Sequence, residues 1–123
     1  MLFRSWFNKG NSLDELGRND EAIACYDKAL SIDRQYDEAW NNKGGTLLAL
    51  GQLEAAIVCF DNALAIEPRD ATRWFNKAYA EDELGRFAAA VKSYRRFLEL
   101  SSPQHTAQIA HARERIVGLE GST

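Results

Sequence analysis

The chain has 123 residues, a hydrophobic fraction of 46% and a formal net charge of −3. That length allows one cooperative unit, the apolar content excludes a disordered chain, and the acidic balance argues against a nucleic-acid binder, which needs a basic surface. No apolar run reaches the roughly 18 residues that cross a bilayer, and the N-terminal Met-Leu-Phe-Arg-Ser-Trp lacks the apolar stretch of a signal peptide, so a cytoplasmic protein with no membrane insertion is expected.

In chain order, Phe3, Trp6, Gly10, Leu13 and Leu16 recur at helical spacing and predict a first helix. Gly17 ends it where a positive φ is cheap. Asn19 and Asp20 are expected to cap a second helix, with Glu21 in its first turn and Ile23, Tyr26, Ala29 and Leu30 on its apolar face. The pair then repeats. Trp40 to Leu50 and Leu53 to Ile66 flank Gly51, and Pro68 blocks extension. Trp74 to Leu84 and Phe87 to Leu100 flank Gly85. A last helix is capped by Ser101 or Ser102, with Pro103 near its first position. It presents Ile109, Ala112 and Ile116 as an apolar stripe and stops near Val117, before Gly118, and residues 120–123 are expected to fray.

The spacing of the tryptophans, Trp6, Trp40 and Trp74, is 34 residues both times. Residues 3–36, 37–70 and 71–104 align throughout: Lys9, Lys43 and Lys77; Asn8, Asn42 and Asn76; Gly10, Gly44 and Ala78; Ala22, Ala56 and Ala90; Tyr26, Phe60 and Tyr94. A unit this short cannot bury a core alone, so the repeats must stack. Small residues let the paired helices approach, and the large aromatics fill the space that remains. Cys25 and Cys59 hold equivalent positions, which stacking separates by about 10 Å. That is too far for a disulfide, so both read as buried small hydrophobes.

Trp-x2-Lys-Gly, Leu-Gly, Ala-Ile and Tyr/Phe-x2-Ala-Leu over this period resemble the tetratricopeptide repeat. The resemblance implies an all-α, right-handed α-solenoid of antiparallel helix pairs. It has seven helices, three tandem repeats over 3–104 (3–36, 37–70, 71–104) and a C-terminal capping helix over 105–118. It also implies a concave face, lined by the first helix of each pair, that holds a peptide segment of a partner protein. That face would include Phe7, Asn8 and Asn11, then Asn41, Asn42 and Gly45, then Phe75, Asn76 and Tyr79. The trio Asn8, Asn42 and Asn76 is similar to the asparagine ladder of O-linked N-acetylglucosamine transferases. Carboxamides both donate and accept, so such a row can pair with a peptide main chain. The two-carboxylate clamp of cochaperone repeats is not expected: Asn11 and Asn42 match its asparagines, but its cations fall on Phe7, Thr72 and Asn76.

Asp14, Glu15, Glu38, Asp82 and Glu83 near the groove edges would favour a neutral or basic ligand. Lys92, Arg95 and Arg96 should face outward as a solvated patch. Glu81 stands where Leu13 and Leu47 stand, and is expected to escape burial by reaching water, the other reading being a polar contact near the groove end. His105 and His111 lie on different faces of their helix, and there is no glycine-rich phosphate loop, no metal-ligand spacing and no nucleophile triad. Neither an enzyme nor a cofactor or metal is expected. The function is therefore read as a non-enzymatic interaction scaffold. Two alternatives stand beside it: a self-assembling repeat, forming a homo-oligomer through an uncapped N-terminal end at Leu2 and Phe3, and a substrate-recruiting fragment of a larger protein.

Overall fold

The computed structural model describes residues 2–121. Seven α-helices occur among them: α1 (Leu2–Glu15), α2 (Asn19–Ile32), α3 (Asp37–Ala49), α4 (Leu53–Ile66), α5 (Ala71–Glu83), α6 (Phe87–Leu100) and α7 (Thr106–Gly121), with a 3-10 turn at Pro103–His105. They form two compact units, α1–α4 and α5–α7.

Each helix pair is closed by the same turn. Gly17, Gly51 and Gly85 have φ of 77°, 78° and 81°. The amide after each glycine donates five residues back: Arg18 N to Leu13 O, Gln52 N to Leu47 O and Arg86 N to Glu81 O, at 2.8–2.9 Å. This motif satisfies carbonyls that the helix end leaves open. It also leaves only one residue before the next helix, and here the structure departs from expectation. Arg18, not Asn19 or Asp20, sits at the N-cap of α2, with no side-chain cap. Its carbonyl instead accepts from Ala22 N at 3.0 Å. Asp20 and Glu21 lie inside the first turn, where their charge still favours the helix dipole. Leu16, expected on the apolar face, lies past the last turn of α1 and is 70% exposed.

In the first unit, Phe7, Leu13, Ala22, Tyr26, Leu30 and Tyr36 form one buried cluster, flanked by Phe3, Trp6 and Trp40. Leu47, Ala56, Cys59 and Phe60 form a second, against which Ile23 and Trp40 pack. α2 therefore lies against α3 and α4, with Trp40 common to both clusters. Glycine permits the closeness: a Cβ on Gly10 would lie 2.6 Å from the Tyr26 ring, and one on Gly44 2.8 Å from the Phe60 ring. Phe3 is half-buried, its ring edge-on to Tyr36 at 5.1 Å, while Leu2 is exposed.

In the second unit, Ala78, Ala90, Tyr94, Phe97 and Ala112 are fully buried, with Trp74, Phe75, Ile109, Ile116 and Leu119 around them. α7 outruns its expected end near Val117 and continues to Gly121. Leu119 joins the core, and Glu120 takes both oxygens to Arg95 at 2.5 and 2.6 Å, so Gly118 does not stop the helix and Glu120 does not fray. Ser122 and Thr123 lie outside the described residues.

Glu81 does not reach water. It is 6% exposed and accepts a 2.6 Å hydrogen bond from Ser93 Oγ. Ser93 holds the position of Cys25 and Cys59, and Glu81 that of Leu13 and Leu47. The apolar pair of the first two repeats is thus replaced by a hydrogen-bonded one, and this bond helps the carboxylate tolerate burial.

Candidate functional site

The residues expected to meet a partner sit on α1, α3 and α5. On the first unit the structure brings three carboxamides together. Asn42 Nδ2 donates to Asn11 Oδ1 at 2.8 Å, and Asn41 Nδ2 lies 3.4 Å from Asn42 Oδ1. Asn41 Oδ1 is buried without a hydrogen-bond partner among the described residues. Asn8 is exposed, and Gly45 borders open space. Phe7 is only 7% exposed, its ring held against Tyr36 at 4.8 Å and Tyr26 at 6.0 Å. Packing takes the surface that sequence reasoning assigned to a ligand.

On the second unit Asn76 is half-buried and Tyr79 is 39% exposed. Phe75 is half-buried, with its ring edge-on to Tyr94, Phe97 and His111 at 5.9, 5.2 and 5.7 Å. His111 also lies 6.2 Å from the Tyr79 ring. Beside them opens a polar cavity of about 440 Å³, lined by Tyr79, Asp82, Glu83, Phe87, His111 and Arg115.

Beneath this surface runs a second repeated pairing that sequence reasoning missed. The Tyr26 hydroxyl reaches Asp14 Oδ2 at 2.6 Å and Asn11 Oδ1 at 2.7 Å, and the Tyr94 hydroxyl donates to Asp82 Oδ2 at 3.0 Å. The middle repeat has Phe60 and Leu48 at the same two positions, so hydroxyl and carboxylate come and go together. That paired swap was the available signal. Each aspartate also grips the helix after next, Asp14 of α1 reaching α3 and Asp82 of α5 reaching α7. Asp14 accepts from Thr46 Oγ1 at 2.7 Å, and Asp82 takes Arg115 through Nε and a terminal nitrogen at 2.7 and 2.8 Å. Asp14 and Asp82 are thus committed to the fold rather than to a solvated acidic rim, whereas Glu15, Glu38 and Glu83 are exposed.

Burial first, then the facing carboxylate, pushes both tyrosine hydroxyls far above their ordinary range. The Arg115 guanidinium holds the Asp82 carboxyl below the usual carboxylate value against the opposing effect of burial. A lowered folded-state pKa contributes stability that is present above about pH 4 and is lost as pH falls through the depressed value. Asp82→Asn should therefore lower neutral-pH stability by about 1 kcal/mol, since Arg115 is partly solvent-screened, and flatten the acid limb of a melting-temperature series from pH 5 to 2. An acid limb identical to the parent's would remove this pair from the account.

The lysines that keep the 34-residue period sit over the tryptophans: Lys9 over Trp6 at 5.4 Å, Lys43 over Trp40 at 5.9 Å and Lys77 over Trp74 at 5.2 Å. Lys43 also pairs with Asp27 of α2 at 2.6 Å. Cys25 and Cys59 are free and buried, as their position in the repeat predicts.

The sequence signature described as "Tetratricopeptide repeat" matches residues 3–36, 37–70 and 71–103. The chain belongs to the tetratricopeptide repeat family. No curated protein matches it in sequence. Solved structures match it in fold. One is the first repeat domain of Spaghetti (RPAP3) bound to the HSP90 peptide SRMEEVD, with 24% identity, 97% of this chain and 94% of that chain covered, and a TM-score of 0.89. A second is the Yersinia enterocolitica type III secretion chaperone SycD in complex with a peptide of the translocator YopD, with 14% identity, 97% and 92% covered, and a TM-score of 0.89. A third is the first repeat domain of human RPAP3, with 23% identity, 99% and 98% covered, and a TM-score of 0.82.

These similarities fix the fold of this tetratricopeptide repeat protein as an all-α repeat of helix pairs. No described helix is long and apolar enough to cross a membrane. His105 lies against Phe97 at 5.9 Å, its Nδ1 accepting from Ser102 N at 3.1 Å, and His111 against Phe75, so each has its own structural seat.

Proposed function

We propose that this tetratricopeptide repeat protein is a non-enzymatic scaffold that binds a peptide segment of a partner protein along the first helices of its repeats. The observation that carries this reading is the carboxamide row of α1 and α3. Asn42 stands within hydrogen-bond reach of both Asn11 and Asn41, yet Asn41 Oδ1 has no donor among the described residues. A buried acceptor left open costs free energy, and a peptide N–H reached by a small rotation of that side chain would satisfy it. Two fold neighbours were solved with peptides bound, which supports the same use of the fold.

The ligand we propose is neutral to basic. The exposed carboxylates Glu15, Glu38 and Glu83 favour it. An acidic peptide of the kind bound in the Spaghetti complex, SRMEEVD, is disfavoured. Phe7, at one position where a clamp would need a cation, is a buried aromatic, and the Asn11 oxygen is already taken by Tyr26 and Asn42.

Replacing Asn8, Asn42 and Asn76 together by Ala should leave the circular-dichroism helix signal intact. It should weaken by about tenfold or more the peptides that the parent selects from a displayed library. Equal affinity for the same peptides would show that the working surface lies elsewhere.

A further inference from the structure

The first unit contains the same groove twice, once filled and once open. The filled one lies between α3 and α4. Its walls include Trp40, Lys43, Leu47 and Cys59, and α2 occupies it, with Ile23 on the apolar floor and Asp27 on Lys43 at 2.6 Å. One period earlier, Trp6, Lys9, Leu13 and Cys25 line an open groove of about 520 Å³ between α1 and α2. All four residue types are identical, and Lys9 already stands over Trp6 as Lys43 stands over Trp40.

The two grooves differ at their rims. Arg18, Glu21 and Lys28 replace Gln52, Ala55 and Asn62, a net gain of one positive charge. Arg18 pairs with Glu21, but no carboxylate among the described residues bridges Lys9 or Lys28. The open groove is therefore the more basic of the two, with the cation that meets an aspartate in the filled one left over.

We propose that the α1–α2 groove is a second docking site, separate from the asparagine surface, for an acidic amphipathic helix of a partner protein. That helix carries an aliphatic residue and, four positions later, an aspartate, as α2 carries Ile23 and Asp27. Its aliphatic residue lies on Leu13 and Cys25 and its aspartate meets Lys9. A further acidic residue toward Lys28 suits this rim better than α2 itself would. A second copy of this chain is a poor occupant through α6: that helix has Val91 and Arg95 at the corresponding positions, so it would bring a cation to Lys9.

The test uses the full chain and a helix-stapled peptide of residues 19–32 with Cys25→Ser, titrated by NMR. Saturable amide shifts at Trp6, Lys9, Leu13 and Lys28, with Asn42 unmoved, are expected. Lys9→Glu in the chain should weaken the peptide about tenfold, and Asp27→Lys in the peptide should restore binding to that variant. Lys28→Glu, on the other rim, should weaken it independently. Binding unchanged by both rim reversals, shifts confined to the asparagine surface, or no shift at millimolar peptide would overturn the proposal. A concentration-dependent dimer that the peptide dissociates would assign the groove to a second copy instead, and would overturn it too.

Discussion

Trp40→Ala should destabilise the chain by about 3–5 kcal/mol, among the largest effects of any single truncation. The indole is only half-buried, yet it belongs to both apolar clusters of the first unit and its Nε1–H donates to Arg34 O at 2.9 Å. Removing it opens a void on the seam where the first repeat meets the second, and leaves that carbonyl without its donor. Neither repeat can close the gap alone, because a 34-residue unit has no core of its own to fall back on. Urea melts followed by circular dichroism measure the loss. A midpoint within error of the parent's would mean that the seam is held by α2 and α3 without the indole.

The second large effect is expected at Ser93. Its hydroxyl donates to a buried carboxylate, and hydrogen bonds to charged groups contribute about 1.5–3 kcal/mol. Ser93→Ala should cost about that much, because the Glu81 side chain stays buried and loses this donor. The informative experiment is a double-mutant cycle. Glu81→Leu with Ser93→Cys installs the pair found as Leu13–Cys25 and Leu47–Cys59, and should be less destabilising than the two single changes predict, with a coupling of about 1–3 kcal/mol. Additive effects would show that the two side chains are not energetically linked.

Glu81 shows where sequence reading stopped. Considered alone, a carboxylate at an apolar position points to exposure. Considered with Ser93, which also breaks the repeat pattern, it points to an internal pair. The same holds for Tyr26 with Asp14, against Phe60 with Leu48. Helix periodicity, the turn glycines and the small residues under the rings were legible because each depends on neighbours within one repeat. The end of α7 was not, since it depends on Arg95 reaching Glu120 from 25 positions away. Nor was the burial of Phe7, which depends on Tyr36 in the loop before α3. The expected caps at Asn19 and Asp20 failed for a local reason: the glycine turn is so tight that no residue is spare for the role.

The two thiols carry a consequence of their own. Cys25 and Cys59 both lie in the first unit, and burial raises the Cys59 thiol to about 11, so little of the reactive thiolate forms at neutral pH. The second unit has no cysteine. Alkylation by iodoacetamide would therefore act as a stopwatch on the first two repeats alone. Its rate would record how often they open, while α5 to α7 stay silent in the same tube.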